Sequence, residues 1–196
     1  MEIEYEAKFI NVDKDEIRTR LEKAGAKLIR PEYMQRRVPF NLPEGRAKHN
    51  TWLRVRDEGD KITLSFKIID GEEIHNQREI QVVVDDFDKT CQILRDIGCV
   101  EKSYQESKRE LWMLEDVEIT IDEWPFLEPY IEVEGKSEEK VKEVSKKLGF
   151  DYSQAVFGSA GKVLALKYGI PEEVINNKFP KLIFGDENPF LNFKDK

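Results

Sequence analysis

This chain of 196 residues predicts an α+β fold organised on a largely antiparallel sheet. Three observations point there. About eight segments alternate apolar and polar residues with the period of a strand. Helical segments with their own start and stop signals lie between them. Most strand-to-strand connections are short turn sequences, too short for the crossover a parallel pair needs. The length is enough for one large domain to bury a core without disulfide or metal staples.

Ile3, Tyr5, Ala7 and Phe9 alternate with Glu4, Glu6 and Lys8, so residues 2–10 form a strand. Asp13 and Glu16 make a capping box that opens a helix over 14–24, Ile17 and Leu21 give it an apolar stripe, and Gly25 stops it. Residues 27–40 are extended, and Pro39 to Asn50 reads as a mobile loop from its prolines, glycine and polar residues. Strands follow at Trp52–Asp57, Lys61–Ile68 and Glu73–Val84, separated by Glu58-Gly59-Asp60 and Asp70-Gly71. Asp86 begins a second helix carrying Phe87, Cys91, Leu94 and Ile97, and Gly98 ends it.

Residues 100–114, 116–124 and 129–135 read as three more strands. Ser137 caps a helix over 138–148 with Val141, Val144 and Leu148 on one face, and its charge run is a solvated face. A fourth helix covers 159–168. The remainder, rich in Asn, Pro, Phe and Lys, reads as a short helix and an irregular tail. Residues 1–170 are therefore one domain and 171–196 a C-terminal extension.

The formal charge of −8 argues against a general nucleic-acid binder, which carries a basic surface. There is no apolar run near ~20 residues and no signal-peptide pattern, so a cytoplasmic protein without a membrane partner is expected, as a monomer or homodimer. Cys91 and Cys99 are read as small buried hydrophobes, because a metal pair would want further Cys or His nearby. The two histidines, His49 and His75, fall in loops or turns and are read as solvated. Trp112 and Trp124 are read as core residues, with a stacking role at an opening of the sheet the alternative for Trp124. Trp52 shares the parity of Arg54 and Arg56, so it lines an entrance or packs under the loop. Lys162 is read as a surface lysine, with reach to a bound anion as the alternative.

The charged strand faces carry the chemistry. Glu4, Glu6 and Lys8 share a face, Glu132 and Glu134 repeat the spacing, and an enclosed face of this kind calls for a divalent cation and an anionic ligand. The middle strands place Arg54 with Arg56, and Ser65 with Lys67. For any single strand, charges facing solvent are the simpler explanation. Taken together, acidic pairs sit on the first and last strands and cations lie between. Closing the sheet would bring the acidic strands into contact and ring the rest with groups suited to phosphate oxygens.

The ordered set Glu4-x-Glu6-x-Lys8, Leu53-Arg54-x-Arg56, Ser65-Phe66-Lys67, Lys108-Arg109-x-x-Trp112 and Ile121-Asp122-Glu123 through Glu132-x-Glu134 resembles the CYTH superfamily, the triphosphate tunnel metalloenzymes, from about residue 2 to 168. The resemblance implies an eight-stranded antiparallel closed β-barrel with flanking helices, whose tunnel binds a triphosphate with Mg²⁺ or Mn²⁺. It implies that Glu4, Glu6, Glu132 and Glu134 ligate or support metal, with Asp122 a further ligand or an orienter. It implies phosphate contacts from Lys8, Arg54, Arg56, Lys67, Arg78 and Arg109, with Glu4, Glu6, Lys8, Arg56 and Lys67 as the catalytic set. Members hydrolyse a terminal phosphate or cyclise ATP, so tripolyphosphate, ATP or thiamine triphosphate is the expected substrate. Hydrolysis is the first expectation, a class IV-type adenylyl cyclase the second, and a non-catalytic polyphosphate- or nucleotide-binding module the third.

The chain departs from that pattern in three places. Gln77-Arg78-Glu79-Ile80-Gln81 stands where R-x-E-x-E is usual, which leaves open whether Gln77 or Arg78 faces inward. Ser107-Lys108-Arg109 replaces K-x-R, so Arg109 is the inward residue. Tyr33-Met34-Gln35-Arg36-Arg37 replaces an aromatic-rich stretch and leaves specificity there open.

Overall fold

The computed structural model describes residues 1–46 and 50–193, so the expectation for His49 lies outside the described residues. The strands are β1 (Glu2–Ile3), β2 (Tyr5–Phe9), β3 (Lys27–Asn41), β4 (Thr51–Asp57), β5 (Ile62–Ile69), β6 (Gln77–Val84), β7 (Val100–Glu101), β8 (Tyr104–Leu114), β9 (Val117–Glu123), β10 (Tyr130–Gly135) and β11 (Lys181–Leu182). The helices are α1 (Lys14–Ala24), α2 (Phe87–Asp96), α3 (Glu138–Lys147), α4 (Ala160–Tyr168) and α5 (Glu172–Lys178). The sheet runs β1-β6-β5-β4-β3-β8-β9-β10-β2, and every neighbouring pair in it is antiparallel.

The two ends of that order are one strand broken at Glu4. Its first part pairs with β6, its second with β10, and the Glu4 amide donates to the Gln77 carbonyl at 2.9 Å between them. Counted as one stave, β1 and β2 bring the barrel to the eight expected. The remaining two strands are short additions: β7 pairs with β3, and β11 pairs with β8 in parallel.

The helices form where caps and apolar spacing agree. Asp13, Asp86 and Ser137 each accept a backbone N–H from the first turn of α1, α2 and α3. Gly25 ends α1 at φ +83°, a conformation open to glycine at little cost. Pro31 lacks an N–H for the ladder, and the β3–β8 register slips between Leu28 and Tyr33 around it. Two expected strand limits are corrected. The strand expected from Glu73 begins at Gln77, because the Asn76 side chain accepts from the Glu73 amide (2.9 Å) and shapes a 3₁₀ turn over 74–76. The strand expected over 100–114 breaks between Glu101 and Tyr104, where the Lys102 amide turns to the Pro39 carbonyl.

The apolar core lies outside the barrel. Ile17 and Leu21 of α1 and Val141 and Val144 of α3 pack on Ala7, Ile119, Ile131 and Val133 from the outer faces of β2, β9 and β10. Phe87, Cys91 and Leu94 of α2, with Cys99, cover Val38, Phe40 and Val55 in the same way, and both cysteines are free and buried there. Trp112 belongs to the first cluster, as expected of a core residue. A third cluster joins α4 to the extension through Leu164, Ile175, Phe179, Leu182 and Phe190, so the described part of that extension is packed on the barrel. Since the strand faces under the helices hold the core, Ile131→Ala costs about 2–5 kcal/mol in denaturant unfolding. Val82→Ala, exposed on the outer face of β6, stays within about 0.5 kcal/mol. Equal losses at both sites would place the core elsewhere.

Candidate functional site

Side chains alternate along each stave, so the face opposite the core points into the lumen. A cavity of about 760 Å³ runs through it, lined on the β1–β2 stave and β10 by Glu4, Glu6, Lys8, Glu132 and Glu134, and on the other staves by Arg37, Arg54, Arg56, Lys67, Glu79 and Arg109. Nearly all the residues expected at the site from sequence therefore converge. At the seam Glu132 stands across from Lys8 and Glu134 across from Glu6, with Glu118 of β9 across from Glu134 in turn.

Lys8 is 2% exposed, bonded to Glu6 and lying 3.2 Å from Glu132. Burial opposes its charge, but Glu132 and Glu6 outweigh it and hold the ammonium well above its usual range. Glu132 also accepts from Arg109 at 2.6 Å; burial alone would raise its pKa, yet Lys8 and Arg109 keep it well below the usual carboxylate range. Lys67 reaches Glu4 (2.9 Å) and Glu79 (3.5 Å), and Arg54 reaches Glu79 (3.2 Å). Glu4 is pushed up to about 7, mainly by burial and against the pull of Lys67, while a hydrogen bond with Glu4, then Arg54 and Lys67, overcome burial to lower Glu79. Glu134 is pushed up to about 8 by burial and by the facing Glu6, Glu4 and Glu118.

The basic side has the complementary excess. Arg56 pairs with Glu58 at 2.6 Å, yet burial and the neighbouring Arg54 lower it to about 10. The Nε atoms of Arg37, Arg54 and Arg56 are buried without a hydrogen-bond partner. Unbonded buried donors on several guanidinium groups suit an anion with many oxygens.

Two expected site residues are corrected by geometry. Arg78 faces outward: in the β5–β6 register Lys67 opposes Glu79 and Ile68 opposes Arg78, so Gln77, Glu79 and Gln81 take the lumen while Arg78 lies 3.6 Å from Asp70 on the outside. Asp122 is fully buried beneath Arg109, which bonds both of its oxygens at 2.8 Å while Thr120 bonds one of them, so it orients Arg109 and does not line the cavity. Lys108 faces out toward Glu123 at 3.2 Å. Lys162, expected at the surface, lines the cavity, as do Trp52 and Trp124.

Sequence reading passed over Arg37, Glu58 and Glu79 as site residues. Alternation from Tyr33 points Arg37 inward, and alternation from Arg54 does the same for Glu58. Glu79 shares the inward parity of Gln77.

Among the described residues, no three His, Cys, Asp or Glu side chains converge to hold a metal by themselves. The donor chemistry nevertheless fits Mg²⁺ or Mn²⁺. Such ions are commonly held by one or two carboxylates and completed by substrate phosphates, and the Glu6–Glu134 pair with Glu4 beside it is an under-compensated carboxylate set.

The CYTH domain family model matches residues 2–163. A protein of Methanocaldococcus jannaschii, provisionally named an adenylate cyclase, is 31% identical over 148 residues, covering 74% of this chain and 83% of that protein. A conserved protein of Pyrococcus furiosus superposes with a TM-score of 0.69 at 21% identity, over 82% of this chain and 99% of the other. A Vibrio parahaemolyticus protein, also provisionally named an adenylate cyclase, gives 0.71 at 12% identity, over 84% and 98%. A Hippeastrum protein, provisionally named an adenylyl cyclase and described as having a dominant triphosphatase activity, gives 0.57 at 16% identity, over 88% and 99%.

The raised pKa of Glu134 makes stability depend on pH. The unfolded chain loses this proton near 4.5 and the folded chain near 8, so the stability that goes with the retained proton is complete below 4.5 and lost as pH rises to about 8. Glu134→Gln removes that loss. The metal-free variant therefore melts progressively higher than the parent as pH rises from 4.5 to 9. Parallel melting curves across that range would contradict the carboxylate crowding.

Proposed function

Because the chain belongs to the CYTH domain family, we propose that it is a divalent-metal-dependent phosphohydrolase that removes the terminal phosphate of tripolyphosphate, a nucleoside triphosphate such as ATP, or thiamine triphosphate. One observation carries this reading. The lumen holds a carboxylate seam on β2 and β10 and, on the staves across the barrel, guanidinium groups whose Nε atoms have no partner. Such a lumen is matched to a chain of phosphates with metal at one side.

Glu6 and Glu134 would hold Mg²⁺ or Mn²⁺, with Glu4 beside them and Glu132, through Lys8, in support. A metal there would supply positive charge to phosphate oxygens and make water a better nucleophile at neutral pH. Lys8, Arg54, Arg56, Lys67 and Arg109 bind and orient the phosphates. Arg109 is held in place by Asp122 and Glu132, and Lys67 by Glu4 and Glu79. The enclosing staves keep bulk water from the phosphates, which strengthens each of these contacts.

The Hippeastrum neighbour's described triphosphatase activity supports hydrolysis. The name of the Methanocaldococcus relative favours a second reading, a class IV-type adenylyl cyclase using the same residues with the α-phosphorus attacked. A binding module without turnover is the third, and the number of lumen carboxylates speaks against it. The reading places the protein in the cytoplasm, acting on a small-molecule substrate, which suits two free, buried cysteines. Among the described residues, no helix is long and apolar enough to cross a membrane.

The test is ³¹P NMR of the protein with Mg²⁺ or Mn²⁺ and each triphosphate in turn. Orthophosphate with the matching diphosphate is expected; cyclic AMP with pyrophosphate would establish the cyclase instead, and unchanged substrate the binding module. Glu6→Gln lowers metal-dependent turnover by about 100-fold or more with melting temperature kept or raised. Full activity in that variant would remove Glu6 from the metal set. Arg56→Ala lowers kcat and raises KM together, since a phosphate contact serves ground and transition states alike. Unchanged constants would take Arg56 out of the substrate site.

A further inference from the structure

Arg37 belongs to none of the motifs that carry the family resemblance. It sits on β3, the stave four steps from the β1–β2 strand in either direction round the barrel, and so faces the carboxylate seam across the lumen. Its side chain is buried, with the residue 5% exposed. Across the strand pair on β4 stands Arg56, a like charge directly opposite, which is a destabilising arrangement in an ordinary sheet.

The other lumen arginines are each paired with acid: Arg54 with Glu79, Arg56 with Glu58, and Arg109 with Asp122 and Glu132. Arg37 differs. It donates to Gln35 Oε1 at 2.6 Å and to Ser107, lies 4.5 Å from the centre of the Trp124 ring, and leaves its Nε without a partner. Among the described residues, no carboxylate is within ion-pair distance of it. Burial, with repulsion from Arg56, Arg54 and Arg109, lowers its pKa to about 9, so it is still a cation at neutral pH. An uncompensated buried cation is expensive unless a ligand completes it.

The aromatic rings of the lumen bear on what that ligand is. Of the five described aromatic residues that line the cavity, Trp124 already carries Arg37 over its ring, Tyr33 carries Arg30 at 3.5 Å and Lys102 lies 6.0 Å from Trp52, while Tyr130 is buried and Phe157 packs against Tyr152. A nucleobase needs such a face for stacking, and a thiazolium cation would meet further cations there.

We propose that Arg37 binds the end of the phosphate chain remote from the carboxylate seam, and that the tunnel consequently prefers an inorganic triphosphate to one bearing a base or a thiazolium. This rests on the reading of the lumen as a triphosphate site. Arg37 then acts by direct contact, its planar fork taking two oxygens of the terminal phosphate while Gln35 and Ser107 hold it in place.

The test titrates the protein in EDTA with tripolyphosphate and with ATP, by calorimetry and by tryptophan fluorescence, for the parent, Arg37→Met and Arg37→Lys. Steady-state rates with Mg²⁺ are measured alongside. The expected result is tighter binding of tripolyphosphate than ATP by the parent, a fluorescence change on binding, and about 10- to 100-fold weaker tripolyphosphate binding in Arg37→Met, partly restored in Arg37→Lys. The ratio of kcat/KM for tripolyphosphate to that for ATP falls about 10-fold or more in Arg37→Met. Should melting show that Arg37→Met does not fold, Arg37→Lys alone decides, with weaker tripolyphosphate binding and a lower ratio expected of it. Undiminished tripolyphosphate binding in a folded variant, or a parent that prefers ATP or thiamine triphosphate, overturns the inference and leaves the metal-dependent reaction standing. A parent that binds no triphosphate overturns the function itself.

Discussion

The seam of the barrel rests on Lys8. This ammonium, almost wholly enclosed, is the cation that lets β2 and β10 lie side by side with Glu6, Glu132 and Glu134 on one face. Its contacts to Glu6 and Glu132 satisfy two of the three carboxylates. Removing Lys8 itself would cost far more than the net worth of the cluster, because the carboxylates left behind have nothing to replace water. Glu134 is the carboxylate Lys8 does not reach, and its raised pKa follows. The seam thus holds more carboxylates than its lysine can satisfy, while across the lumen, among the described residues, Arg37 is the arginine left without an acid.

That imbalance is tolerable because stability is generated elsewhere. A typical small barrel fills its interior with apolar side chains. Here α1 and α3 cover the outside of β2, β9 and β10, α2 covers β3 and β4, and the lumen is left to polar groups. Lumen side chains are carried on staves whose opposite faces are packed, so they are positioned by a rigid support while contributing little to the core. The same separation explains why charges so close together persist: relief by rotating a side chain outward would push it into the apolar layer beneath the helices.

Much of this was legible in alternation alone. Glu4, Glu6, Lys8, Arg54, Arg56, Lys67, Glu132 and Glu134 all point where a period of two sends them. The failures have specific causes. Arg78 was misplaced because the parity of β6 depends on where it starts, and the Asn76 side chain delays that start to Gln77. Asp122 has lumen parity, but the Arg109 guanidinium caps both its oxygens, and burial beneath another side chain leaves no trace in sequence. Arg37 was visible at the correct parity from Tyr33 and passed over for lack of a motif around it. The C-terminal extension hid its structure differently: Phe179, Leu182 and Phe190 have no regular spacing, since they meet through turns and a two-residue strand.

That extension bears on the site more than its composition suggested. The family match ends at residue 163, yet Glu172, Asn176 and Leu182 line the same cavity as the arginines. Ser159, which precedes α4, donates to Glu172 at 2.7 Å, so the first turn of α4 faces an acid supplied by α5. Lys102, lowered by burial and only partly offset by Glu172, is drawn into the cavity wall beside it. A helix N-terminus and a lysine would otherwise reinforce the anion-attracting field of the lumen, and Glu172 moderates both. The barrel sets where the lumen arginines and carboxylates lie. The extension, whose sequence lies beyond the matched domain, adds Glu172, Asn176 and Leu182 to the wall of the same cavity and so sets part of its charge and shape without any change in the staves.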